Sequence, residues 1–285
     1  MPKEKRSLVD IPLRIPEKHD VDSWVVLGID PSLSRTGHAL LFVESLQNWT
    51  IANWSDVGSA KPEETKDPVW LRSKLISMYL CSLLHDLIER EGHTWKGKIG
   101  LIISMEQPTP YDDFLNRINA IIHCALLEEI SSFPSAVTGG MPFEFAEVHI
   151  LQTNASTLRS LMGLTQRGNK NKIENQIKAH EYLDDAKAFP QLDTDACDAV
   201  LLAVMGRFAA SILLGKEAEV PQRFKQTLCS SEVVVKGKGR NQRTEIKGLF
   251  WNKRYFNTYT KKDFVILLKN ARSPKLRLDR KTYTI

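Results

Sequence analysis

The sequence predicts an α/β domain, a mixed five-stranded sheet flanked by helices, with a basic C-terminal extension. Three observations predict it. Short β-favouring runs crowd the start of the chain, helical periodicities then alternate with apolar strands, and the charge balance changes sign near Lys216. At 285 residues, 42% hydrophobic and 26% charged, the chain can bury one large core, or a core plus a smaller module.

Residues 1–22 are polar and Pro-containing and read as a tail, residues 23–215 as the catalytic-sized body and residues 216–285 as the extension. Val25–Ile29, His38–Val43 and Trp49–Trp54 read as strands of an antiparallel meander, with Gly37 and Asn48 in its links. Residues 55–68, rich in Asp, Glu and Pro, read as a loop. From Trp70 to Glu91, apolar residues at 71, 75, 76, 79, 83, 84, 87 and 88 mark a one-faced helix. "KIGLIISMEQP" is a fourth strand, apolar enough to be central. A helix over Asp112–Ile130 follows, with Phe114, Leu115, Ile118, Ile121, Ile122 and Ala125 on its inner side. "FEFAEVHI" reads as the fifth strand. Helices fill Asn154–Met162 and Lys170–Leu183, the latter with Ile173 and Ile177 one turn apart, and a last core helix runs from Asp195 to Leu214.

The run "ACDAVLLAVMGRFAASILLG" is long enough to span a bilayer, but Asp198 and Arg207 lie inside it. Charges there are costly in lipid, so the reading is a buried helix and no membrane partner. Cysteines 81, 124, 197 and 229 form no CxxC pair, which argues against a zinc site and a disulfide scaffold. The N-terminus has no apolar leader-like core. Together these point to a reducing compartment.

The net charge of +5 hides an asymmetry: from Lys216 onward 18 Lys and Arg face 6 Asp and Glu, a balance of +12, leaving −7 for the first 215 residues. An acidic body with a basic tail suits a carboxylate site and a polyanion surface, the alternative being a basic face that keeps the protein soluble. Around "KGKGRNQR" the segment reads as a basic hairpin carrying Lys236, Lys238, Arg240 and Arg243 as nucleic-acid contacts. Phe250, Trp251, Tyr255, Phe256 and Tyr259 interleave with Lys253 and Arg254, which fits base stacking and the packing of a small module equally.

Four acidic residues share one address. Asp30 ends the first strand, Glu106 ends the fourth, and "LDTDACDAVLLA" opens the last core helix with Asp195 and Asp198 on one face. Small residues at 196, 199 and 203 let that helix lie close to the sheet. Converging carboxylates bind hard divalent cations, Mg2+ or Mn2+, and two such ions serve phosphodiester hydrolysis. Each acid has a local alternative: a turn residue for Asp30, a helix-dipole acid for Asp195, a core ion pair for Glu106. Asp193 is read as a dipole acid and left out. Asp198, in an otherwise apolar helix, is the hardest to explain structurally.

Those residues carry a resemblance. "GIDPSLSRTG", "SMEQP" and "DACDAVLLA" are similar, in order, to motifs of the RuvC-like Holliday-junction resolvases of the RNase H-like superfamily. "TLRSLMGLTQRGNKNKIENQI" resembles their Gly-containing loop followed by a lysine that opens a helix. The likeness spans roughly residues 24–214. It implies an RNase H-like fold and a metal-dependent, structure-selective endodeoxyribonuclease that resolves four-way or other branched DNA by symmetric hydrolysis as a homodimer. It implies Asp30, Glu106, Asp195 and Asp198 as ligands of Mg2+ or Mn2+, two ions per site, with Lys172 catalytic beside the scissile phosphate. Arg159, Arg167, Lys170, Lys172 and Tyr111 are the further DNA contacts expected. The chain departs from the pattern at Thr109, where an aromatic is usual and Tyr111 or Phe114 is the substitute, and at Ser32-Leu33, where Gly is common.

Alternatives remain: a nuclease of another substrate class (flap, RNA–DNA hybrid or mobile-element machinery), or a non-catalytic DNA-binding protein. An actin-like ATPase would need a second Asp-x-Gly phosphate loop and a Gly-rich adenosine site, and the sequence offers neither.

Overall fold

The computed structural model describes residues 21–32, 35–47, 49–60, 69–107, 113–132, 137–138, 141–142, 144–164, 170–183, 192–236, 243–251 and 256–260. In chain order these form β1 (Ser23–Asp30), β2 (Thr36–Ser45), β3 (Thr50–Ala60), α1 (Val69–Glu91), β4 (Ile99–Glu106) and α2 (Asp113–Ser132). There follow β5 (Val137–Thr138), β6 (Met141–Pro142), β7 (Glu147–Thr153), α3 (Ala155–Met162), α4 (Lys170–Tyr182) and α5 (Thr194–Leu213). Last come α6 (Gln222–Leu228), β8 (Cys229–Lys236), β9 (Arg243–Trp251) and β10 (Phe256–Thr260).

The main sheet has the order β10-β7-β4-β1-β2-β3. β1, β2 and β3 form the expected antiparallel meander, whereas β4 joins β1 in parallel and β7 joins β4 in parallel. Parallel neighbours need a crossover, and α1 and α2 supply the segments between them. The five expected strands are all present in an α/β architecture. A sixth, β10, comes from the C-terminal extension and pairs antiparallel with β7.

Period-2 alternation sends the strand residues to two cores. Val25, Leu27, Ile29, Leu101, Ile103 and Met105 pack with Leu80, Leu84 and Leu87 of α1 and Ile118, Ile122 and Leu126 of α2. Trp24, Val26, Ala39, Leu41 and Ile102 face α5 on the other side. Both faces are covered, which is why β1 and β4 read as unbroken apolar runs. α5 is apolar enough to cross a membrane by composition, but 83% of its most apolar stretch is buried, against β1, β2 and β4.

The structure differs from the sequence reading in four places. β3 continues to Ala60, so residues 55–60, expected in a loop, are strand instead, on an edge strand with one open side; the remaining residues, 61–68, lie outside the described residues. β7 starts at Glu147, because Phe145 turns into the core before the ladder begins. The one-turn spacing of Ile173 and Ile177 suggests a buried face, yet both are exposed, at 60% and 58%, and Ala179 and Leu183 are buried instead. Finally, the body does not end at 215: Val220, Phe224 and Leu228 belong to the α5-side core.

Candidate metal centre

Asp30 is the last residue of β1 and lies opposite Gly37 of β2. Ile29 is level with Met105 of the parallel β4, so Glu106 ends its strand beside Asp30. Ile29 and Met105 belong to the α1-side core, so by alternation Asp30 and Glu106 turn toward the α5 layer. There the two carboxylates stand close enough to act on each other.

Two glycines bring α5 onto them. A Cβ on Gly28 would lie 2.3 Å from the Ala199 carbonyl oxygen, and one on Gly37 only 1.9 Å from the Asp195 carbonyl oxygen. The first turn of α5 therefore rests on bare backbone beside Asp30. Asp193 caps that turn, accepting from the Ala196 N–H at 2.9 Å and from Arg35 at 2.9 Å. Asp193, read from the sequence as a dipole acid, is the N-cap of the helix. Thr36 fixes the preceding turn by donating to the Ser32 carbonyl at 2.6 Å.

Gly37→Ala is expected to cost about 1–3 kcal/mol or more, since the new methyl meets backbone that cannot yield without moving α5. Gly58→Ala is the control: its Cβ would meet only the His38 ring, at 3.0 Å. Urea denaturation of both variants checks this, and equal losses would refute the α5 contact as the cause.

The electrostatics are those of crowded like charges. Burial raises the Asp30 carboxyl well above its usual range, and Glu106, Asp198 and Asp195 raise it further. Burial and Asp198 push Glu106 up to about 7. Asp195 is raised by burial and Asp193, against the pull of Arg35 and Lys172. Asp198 is raised by burial and Asp195, offset by a hydrogen bond from Asn175 and by Arg159 and Lys172. Lys172, exposed at the start of α4, thus stands within electrostatic reach of both helix acids.

Such a crowded set of hard oxygen donors fits a divalent cation. Among the described residues, no three His, Cys, Asp or Glu side chains already stand together as a coordination shell. The acids are nonetheless near enough to shift one another.

Of three supporting residues, Asn175 and Asn119 escape the sequence reading, and Arg159 has partners that it does not foresee. Asn175 of α4 donates its amide to Asp198 Oδ1. Arg159 of α3 donates to Asn175 Oδ1 at 3.0 Å and to Glu174 Oε2 at 3.3 Å, so it backs Asn175 from inside, whereas a phosphate contact is expected of it. Asn119 of α2 donates to the Glu106 carbonyl oxygen at 2.6 Å and holds the end of β4. The available signal for Asn175 is its i, i+3 spacing from Lys172, which puts both on one side of the helix.

Of the other expected contacts, Lys170 opens α4, while Lys236 and Arg243 pair in register at the end of the β8–β9 hairpin. Tyr111, Arg167, Lys238 and Arg240 lie outside the described residues.

The carboxylates also set a pH dependence. Their raised values mean that the folded chain holds protons that the unfolded chain has released. Stability from these groups is complete below about pH 4, the ordinary carboxylate range, and is lost as pH rises through Glu106's value of about 7. Asp56 and Asp193, both lowered, act in the opposite sense. The expected result is therefore read as a difference: in EDTA, wild type loses more thermal stability between pH 5 and pH 8 than Glu106→Gln does. Mg2+ restores it at pH 8. Parallel curves for the two proteins would refute the crowding.

No family model matches the sequence, and no curated protein matches it. Among solved structures, the chain is similar to Thermus thermophilus RuvC, at 17% identity and a TM-score of 0.43, over 67% of this chain and 97% of that one. It is likewise similar to T. thermophilus RuvC in complex with a Holliday junction substrate, at 16% identity and a TM-score of 0.42, with the same coverage.

Proposed function

We propose that the chain is a metal-dependent endonuclease that hydrolyses phosphodiester bonds in branched DNA, with the four-way junction as its substrate. The observation that carries this reading is the gathering of Asp30, Glu106, Asp195 and Asp198 at one end of the sheet, with Lys172 beside them. A turn or capping role for each acid alone does not account for four that meet.

In this reading the four carboxylates hold Mg2+ or Mn2+, two ions per site. Such ions supply an activated water and neutralise charge on the phosphate and its leaving oxygen. The chain's own residues do the positioning. Lys172 draws the scissile phosphate toward the acids and offsets the negative charge that builds on its oxygens. Asn175 fixes the rotamer of Asp198, and Arg159 fixes Asn175, so that one donor oxygen keeps its place. The paired Lys236 and Arg243, with Lys238 and Arg240 between them in sequence, add a basic hairpin for the DNA backbone. Symmetric resolution requires two such sites, hence a homodimer.

The test is cleavage of labelled DNA of equal length in Mg2+: a four-way junction, a fork, a flap, an RNA–DNA hybrid and a linear duplex. Paired nicks at symmetric positions of the junction, absent from the duplex, are the expected result. Preferential cleavage of the hybrid or flap would overturn the substrate and keep the chemistry. No cleavage of any of them would overturn the enzyme.

A further inference from the structure

Among the described residues, two buried hydroxyls have no hydrogen-bond partner: Ser104 Oγ on β4 and Thr153 Oγ1 on β7, both on residues with no exposed surface. A hydroxyl taken out of water without a partner forfeits its hydrogen bonds, so a fold that keeps one calls for a reason. Valine has nearly the shape of threonine, suits a strand as well and would strand no polar atom at position 153.

Register and alternation say what lies beside it. Thr153 is level with Glu106 across the parallel β4–β7 pair. Val148 and Ile150 belong to the α1-side core and Leu151 to the α5-side core, so Thr153 turns to the α5 side, as Glu106 does. Neighbouring strands lie about 4.8 Å apart, so level side chains on one face are adjacent. Ser104 shares that face but stands two residues before Glu106, against Gly206, whose added Cβ would lie 3.4 Å from Ser104 Cβ. The backbone at Thr153 is fixed on both sides. Its carbonyl accepts from the Gln107 N–H at 2.7 Å, and the next residue, Asn154, caps α3 by accepting from the Thr157 N–H at 2.8 Å. Rotation of its own side chain is the freedom left to the hydroxyl.

We propose that Thr153 is a positioning residue for Glu106: its hydroxyl donates to the Glu106 carboxylate when the four acids hold a divalent cation, and so restrains that ligand. This rests on the metal-dependent reading above. A carboxylate that ligates a metal takes hydrogen bonds from outer partners, which orient it. Asn175 is such a donor to Asp198, from α4. Thr153 is the counterpart for Glu106, from the neighbouring strand. Both donors are neutral, so each can orient a carboxylate without cancelling the charge that attracts the cation, as a lysine or arginine would. Thr153 touches no reacting atom.

The experiment titrates full-length protein with Mn2+ in the absence of DNA, reading the free ion by electron paramagnetic resonance. Wild type is compared with Thr153→Val, Thr153→Ser, Ser104→Ala and Asp30→Asn, and each protein is also melted in EDTA. Thr153→Val is expected to weaken Mn2+ binding about tenfold or more, as loss of an outer partner of a metal does, and to melt no lower than wild type. Thr153→Ser keeps the hydroxyl, and Ser104→Ala removes the one that is not level with Glu106, so both should bind Mn2+ as tightly as wild type. A valine variant that binds Mn2+ like wild type would overturn the proposal. So would an equal loss in Thr153→Ser or Ser104→Ala, which would trace the effect to packing. A valine variant that melts lower would overturn it too, since the hydroxyl would then serve the metal-free fold. If wild type binds no more Mn2+ than Asp30→Asn does, the metal-dependent reading itself fails.

Discussion

Asp30→Asn is expected to abolish cleavage, leave branched-DNA binding in place and raise the melting temperature of the metal-free protein. The loss of cleavage should be at least about 10³-fold, because outer-shell partners of a metal already cost about 10–100-fold and Asp30 would be a direct ligand. The gain in stability follows from the electrostatics. Burial and three neighbouring carboxylates oppose ionisation of Asp30, so at neutral pH an uncharged side chain of the same shape relieves the fold. Cleavage assays and thermal melts in EDTA check both halves. A variant that melts lower and loses binding would make Asp30 a structural turn residue and remove the basis for the metal site.

Removing residues 216–285 is expected to unfold the protein. The segment carries a balance of +12, and taken as a detachable tail it would only weaken DNA binding and flatten its salt dependence. The packing says otherwise. Phe224 and Leu228 of α6 are fully buried and Val220 nearly so, in the core that seats α5. Truncating a buried Phe costs about 3–5 kcal/mol and a Leu about 2–5 kcal/mol, against a total stability of about 5–15 kcal/mol. The same cut strips β10 from β7 and bares a strand edge. A cut after Thr260 spares both and still removes eight Lys and Arg against two Asp. Circular dichroism and the salt slope of DNA binding should separate the two truncations: the longer one unfolded, the shorter one folded with a shallower slope. A folded protein ending at residue 215 would refute the account of α6.

Most of the sheet was legible because its strands are buried on both faces or alternate cleanly, and because short links betray antiparallel neighbours. The four acids were legible for a related reason: Asp30 and Glu106 interrupt apolar runs where those runs end, and Asp198 interrupts an apolar helix. What sequence pattern could not reveal depended on facing. Ile173 and Ile177 have the spacing of a buried stripe, but α4 is oriented by Ala179, Leu183 and the polar contact between Asn175 and Asp198. Arg159 reads as a surface cation until Asn175 and Glu174 are seen to occupy its guanidinium. β10 was hidden because its partner is remote in the chain, and nothing in a five-residue strand names the edge it will join.

That remoteness also bears on how the protein is made. β1, β2 and β3 are sequential hairpins and can pair as soon as they are synthesised. β7 must wait beside β4 with one edge open until Phe256–Thr260 have been made, long after Glu147–Thr153. Contacts of such separation form late and slow the folding rate. A nascent chain therefore passes through an interval in which its sheet has a bare edge and its α5 core lacks Phe224 and Leu228. Translation speed and chaperone capture over that interval, more than the final stability, would govern how much of the chain reaches its native state.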